Sequence, residues 1–189
     1  MDLYLKATES VDPEISFLYY YIIIEFYALI SSKRIAYDSL TRKLDSIRIS
    51  GAKNHDIKAI IQIADQHRTS QTDKELAQSI LKETIDLIDV FQLLPDDLQK
   101  KVSKNSGLNS AQLSYETNPE QIQKSINSLG TILYSTRNSI VHAKSNYTQN
   151  QNECKEEELK QLNVFLKQVT YGIIKWYSRL PQHIKEANS

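Results

Sequence analysis

The sequence predicts an all-α fold, a helical bundle of about five helices, and three observations carry that prediction. Gly and Pro number only four each in 189 residues, whereas sandwiches and barrels need frequent turn residues. Every proline falls where an apolar run begins or ends, the place of a helix-bounding residue. Between those points apolar residues recur at three- and four-residue spacing, the period of one helix face. With 40% hydrophobic and 24% charged residues the chain reads as one folded domain, residues 1–189.

The first long helix is announced by Asp12-Pro13-Glu14, which supplies an N-cap, a first-turn proline and an acid. The apolar run 17–30 that follows is shorter than the roughly 20 residues of a membrane-spanning helix, and Glu25 interrupts it. Ile22, Ile23 and Ile24 would suit a strand, but the length of the run favours a buried central helix. Its apolar surface is broader than one neighbour covers, which directs part of it toward a second copy of the chain. Glu25 reads as snorkelling or salt-bridged rather than catalytic. A more polar helical stretch, 33–47, ends at Ser50-Gly51, and Ile57, Ile60, Ile61 and Ala64 give a short helical face.

Thr72 and Glu75 form a capping-box pattern. Leu76, Ile80, Ile85, Ile88 and Phe91 then mark one face of a helix that Pro95 closes. Residues 104–117 are polar and aperiodic, an exposed loop. Asn118-Pro119 opens the next helix, with Ile122, Ile126, Leu129 and Leu133 on its apolar face. A second polar loop spans 145–152. The last helix carries Leu159, Leu162, Leu166, Val169, Ile173, Trp176 and Leu180 and stops at Pro181; Glu156, Glu157 and Glu158 favour its N-terminal dipole.

Charge and cysteine usage narrow the function. Lys and Arg total 23, Asp and Glu 23, which argues against a broad phosphate-binding face, so any nucleic acid must be met locally. Cys154 is the sole cysteine, which leaves no disulfide and no thiolate zinc site and fits a reducing compartment. The start, Met1-Asp2-Leu3-Tyr4, lacks a basic signal region. The expected setting is therefore cytoplasmic, without a membrane, and Asn146-Tyr147-Thr148 is an accidental glycosylation triplet. His55-Asp56 and Asp65 with His67 have no ligand spacing that repeats, so they read as solvated pairs. Neither a metal nor a cofactor is expected.

One segment stands out against this balance. Residues 121–152 contain Lys124, Arg137 and Lys144 and no Asp or Glu. Within it lies Arg137-Asn138-Ser139-Ile140-Val141-His142. Arginine is a fixed cation that grips phosphate, and histidine moves protons near neutrality. Asn138 can orient either one. On a regular helix, residues five apart point about 140° away from one another. Either the helix is distorted between Arg137 and His142, or each meets its working partner across a dimer interface.

Arg137-Asn138-x-x-x-His142 resembles the R-x4-6-H signature of the HEPN superfamily, whose usual form has a polar residue after the Arg. The segment from Leu18 through Tyr27 resembles the first helix of the ApeA-like branch of bacterial anti-phage defence. The resemblance implies a HEPN-like bundle that dimerises to bring two Arg-His motifs into one metal-independent RNA-cleaving site. It implies His142 as general base or acid, Arg137 as the cation on the phosphate, and Asn138 as the group holding them in register. Lys144, Lys124 and Tyr147 are the candidate RNA contacts, Tyr147 by stacking alongside Tyr115 and Tyr134. RNA, tRNA among the candidates, is the expected substrate, and a cognate antitoxin or sensor the candidate partner. Arg48 and His55 also satisfy the bare signature, but they straddle Gly51 and Ile49 follows the Arg, so this pair is set aside. A tyrosine that one branch carries two residues after the His is Lys144 here, which argues against a nucleotidyltransferase-controlled toxin. The alternative is a non-catalytic HEPN module that binds RNA or a protein.

Overall fold

The computed structural model describes residues 2–68, 72–142 and 152–186. Among them there is no strand, and nine α-helices follow one another: α1 (Asp2–Glu9), α2 (Pro13–Ser50), α3 (Asn54–Arg68), α4 (Asp73–Thr84), α5 (Leu87–Val90), α6 (Asp96–Ser106), α7 (Pro119–His142), α8 (Leu159–Ser178) and α9 (Gln182–Glu186). Short 3-10 turns lie at Phe91–Leu93, Ser110–Gln112 and Glu156–Glu158. The chain is all-α, as its patterning implies, but the helices outnumber the expected five because short ones punctuate the long ones.

The long helix α2 runs unbroken for 38 residues, joining the apolar run and the polar stretch that the sequence reading kept apart. Its start is the expected one: Asp12 Oδ1 accepts from the Glu14 and Ile15 amides at 2.8 and 3.2 Å. Ser31 does not interrupt it. This serine is buried and donates to the Glu83 carboxylate, and Arg34 pairs with the same carboxylate. Two side chains one turn apart thus fasten α2 to α4. The helix stops at Gly51, whose φ of 77° is open to glycine at little cost.

Phe17, Tyr21, Ile24 and Ala28 of α2 meet Ile80 and Leu81 of α4, Leu129 and Leu133 of α7, and Phe165, Leu166 and Ile173 of α8 in one apolar core. α2 packs against α1, α4 and α8, while α7 packs against both α4 and α6. Among the described residues, none between Ala28 and Leu76 joins that core. The far half of α2 and α3 therefore form a two-helix arm, tied by Lys43 Nζ to Asp56 Oδ1 at 2.6 Å. By length and composition α2 is able to cross a membrane, with an 18-residue window of mean hydropathy 1.5, and half of that window is buried in the bundle.

Three readings need correction. The helix from Thr72 does begin with a capping box, Glu75 Oε2 accepting from the Thr72 amide at 2.8 Å, but it ends at Thr84. Ile85 is extended and Asp86 starts α5 by accepting from the Ile88 amide at 3.1 Å, because an Asp before apolar residues is itself an N-cap. Pro95 does not only terminate; it precedes α6, which occupies the start of the expected 104–117 loop. Asp56 is not solvated: it is 5% exposed and accepts from Lys43 and, at 2.9 Å, from the Lys53 amide, with His55 Nε2 3.4 Å away.

Candidate functional site

The motif residues occupy the last turns of α7, and packing fixes where those turns sit. Asn118 Oδ1 accepts from the Glu120 amide at 2.8 Å at the start of the helix. Gln121, three residues past that cap, donates to the Gly107 carbonyl at 2.9 Å, joining α7 to the end of α6. Further along, Thr136 is buried and its Oγ1 accepts from the Cys154 amide at 3.0 Å. Ile140 packs against the core. Both the helix end and the segment that follows Asn152 are thereby anchored beside the motif. Burial pushes the Cys154 thiol up to about 12, so it is no nucleophile near neutral pH.

Arg137 and Asn138 are brought together. Arg137 Nη1 donates to Asn138 Oδ1 at 3.0 Å, and Arg137 Nε stands 3.9 Å from Glu25 Oε1. Both members of that ion pair are about one-third exposed, so the guanidinium is held between an amide and a carboxylate while part of it faces solvent. The salt-bridged reading of Glu25 is what the structure has. Burial raises the Glu25 pKa, Arg137 pulls it back, and Asp73 raises it further.

His142 is exposed and is the last residue of α7. The helix is regular between Arg137 and His142, so a distortion that would turn the two side chains onto one face is absent. Their backbone positions stay about 140° apart around the axis and about 7.5 Å apart along it. Lys124 is also remote: thirteen residues upstream, it pairs with Glu120 at 3.0 Å on an exposed face. Lys144, Tyr147 and the Asn146-Tyr147-Thr148 triplet lie outside the described residues, as does the side chain of His67. Tyr115 is exposed and donates to Asp86 Oδ2 at 3.1 Å, away from the motif. Among the described residues no group of three or more His, Cys, Asp or Glu is placed to hold a metal ion.

Two features near the motif escaped sequence reasoning. Tyr21 is 1% exposed and its hydroxyl has no hydrogen-bond partner among the described residues. Burial raises its pKa, Glu25 adds to the shift and Arg137 opposes it, so the phenol is within electrostatic reach of the Arg137–Glu25 pair. The sequence showed Tyr21 only as one of three consecutive tyrosines. The second feature is a largely polar cleft of about 270 Å³, lined by Gln78 of α4, Asn105 of α6, Lys124, Asn127, Ser128, Thr131 and Ile132 of α7, and Asn152. Its residues come from three helices, so no local spacing announces it.

In comparisons with known proteins, no family model matches this chain, and no curated protein and no solved structure is significantly similar to it.

Proposed function

We propose that the chain is a HEPN-type, metal-independent endoribonuclease, cytoplasmic and dimeric, acting in bacterial anti-phage defence or as a toxin. The observation that supports this best is the Arg137–Asn138 contact, partly open to solvent, on the same unbroken helix as an exposed His142. This pair of groups has the chemistry phosphodiester cleavage needs. An RNA 2′-oxygen attacks the adjacent phosphorus, its proton passing to one imidazole. The P–O5′ bond breaks as the 5′-oxygen takes a proton, leaving a 2′,3′-cyclic phosphate. Arg137 holds the negative charge that builds on the phosphate oxygens, and Asn138 keeps the guanidinium in place. DNA, which lacks the 2′-hydroxyl, is not a substrate.

The angle between Arg137 and His142 makes two copies part of this reading. Ile15, Ile22, Phe26 and Leu29 lie along one side of α2 and are 42–56% exposed. Glu25, which holds Arg137, is within one turn of Ile22, Phe26 and Leu29. A second copy seated on this apolar face would approach the motif directly and bring its own His142 toward Arg137.

One observation favours the alternative of a non-catalytic module that binds RNA or a protein: Glu25 already occupies one edge of Arg137. Labelled tRNA and mRNA incubated with the protein in excess EDTA separate the two. The nuclease reading expects cleavage to cyclic-phosphate ends, reduced about 10²-fold or more by Arg137→Ala or His142→Ala. Equal behaviour of wild type and both variants would refute it.

A further inference from the structure

We propose that the arm formed by the far half of α2 and α3 lies along the near half of α2 in a second copy, so that two copies pair antiparallel through one continuous face. This deepens the two-copy reading above and rests on it, but not on the cleavage chemistry. At about 100° per residue, Ile15, Ile22, Phe26, Leu29, Tyr37 and Leu44 fall within about 80° of one another around α2. They lie on the side away from the core residues Phe17, Tyr21, Ile24 and Ala28. All six are 42–56% exposed, and Tyr37 also meets the ring of His183, 5.7 Å between centroids. Asp56 is turned toward Lys43, which fixes the rotation of α3 against α2. Ile57 and Ile61, 59% and 54% exposed, thereby come to the side of the arm that carries Tyr37 and Leu44.

Size, register and charge select a second copy as the occupant. Eight half-exposed apolar side chains at about 100 Å² each offer about 800 Å² per copy, the area of a standard specific interface. The stripe is also complementary to itself when run antiparallel with Leu29 at a two-fold axis. Ile15 then faces Leu44 of the second copy and Ile22 faces Tyr37. The exposed Lys33 falls over Phe26, a favourable place for a cation, and not over its own counterpart. Residues 33–68 hold eight Lys and Arg against four Asp and no Glu, and the rest of the chain fifteen against nineteen. The same register carries the end of the arm, with Arg48 and Lys53, to the start of α2 in the second copy. There Asp12, Glu14, Glu156 and Glu157, with Lys160, line a cleft of about 650 Å³. A basic arm thus meets an acidic body at both ends of the pair. An unrelated acidic partner would satisfy the charge but not the matched stripe.

The pairing also orients the motif. In this register the Glu25 positions of the two copies stand about 14 Å apart along the seam, about nine residues at the helical rise, and on the same side of it. Glu25 holds Arg137, so both Arg137–Asn138 pairs come to one side of the dimer. The arm is what sets this distance, because Tyr37 and Leu44 are the residues that Ile22 and Ile15 face.

Disulfide trapping of the full chain in a Cys154→Ser background reads the register directly, since a disulfide needs Cα atoms within about 7 Å. Leu29→Cys should cross-link to itself on mild oxidation. Ile15→Cys mixed with Leu44→Cys should give about tenfold more cross-linked dimer than either variant alone. In sedimentation velocity, Leu44→Glu, in the arm and outside the core, should raise the dimer dissociation constant about tenfold or more with helix content unchanged. A monomeric wild type, a dimer in which neither cross-link forms, or a dimer that Leu44→Glu leaves intact overturns the arm pairing. If RNA is cleaved in EDTA by a dimer that forms neither cross-link, the pairing falls and the nuclease reading stands. If both cross-links form and no RNA is cleaved, the pairing stands and the nuclease reading falls.

Discussion

Gly130 and Gly172 are both helical glycines, and the packing around them predicts opposite outcomes for the same substitution. A Cβ added at Gly130 would lie 2.5 Å from Gln78 Cγ and 3.2 Å from Gln78 Cα. The Gln78 side chain cannot swing away freely, because its amide is committed to the Asn127 carbonyl and Thr131. Gly130→Ala must therefore push α4 off α7 or break those two bonds, worth about 1 kcal/mol each. Overpacking of this kind costs about 1–3 kcal/mol, against a helix-propensity gain of up to about 1 kcal/mol. At Gly172 the nearest atom is the Thr84 carbonyl oxygen at 3.8 Å, an ordinary contact, so only the propensity gain remains. In urea denaturation, Gly130→Ala should lose about 1–2 kcal/mol and Gly172→Ala should gain up to about 1 kcal/mol. A Gly130→Ala variant as stable as wild type, or a Gly172→Ala variant equally weakened, would refute the close α4–α7 packing on which the cleft depends.

Glu25 and Asp56 have opposite pH signatures. The raised Glu25 pKa means the folded chain holds this proton more tightly than the unfolded one, so its contribution is fully present below the ordinary Glu value and lost as pH rises through the raised one. Glu25→Gln should accordingly gain on wild type in urea midpoint between about pH 4 and pH 7; a constant difference across that range would contradict the assignment. Asp56 runs the other way: its hydrogen bond from Lys43, then that from the Lys53 amide, lower its pKa, and the stabilisation is lost as pH falls below the ordinary Asp range. Amide exchange, corrected for intrinsic rates, should show acid releasing the arm of α2 and α3 before the core helices, and Asp56→Asn should release it at neutral pH. Uniform loss across the molecule would count against a separately held arm.

The starts of α2, α4 and α7 were legible because each begins at a residue whose side chain or ring has one local use. Asp12, Thr72 and Asn118 all cap as their positions suggest. The continuity of α2 past Ser31 was not legible, since it depends on Glu83 from another helix. α6 was missed because only Leu98 and Val102 show its buried face, too few to set a period. For the site, Arg137, Asn138 and His142 could be found by motif, and the arithmetic of helix rotation already posed the question of their separation. Tyr21, Asp73 and Gln78 could not be found this way. Each reaches its place through tertiary packing, which no local spacing announces.

The central claim is that Arg137 of one copy works with His142 of another. Mixing Arg137→Ala with His142→Ala tests it most directly, because a mixed dimer restores one site having both groups. If subunits are exchanged and RNA cleavage in EDTA is followed, activity should return with the mixed species although each variant alone is inactive. If the mixture stays as inactive as its parts while subunit exchange is demonstrated, a site shared between two chains is contradicted.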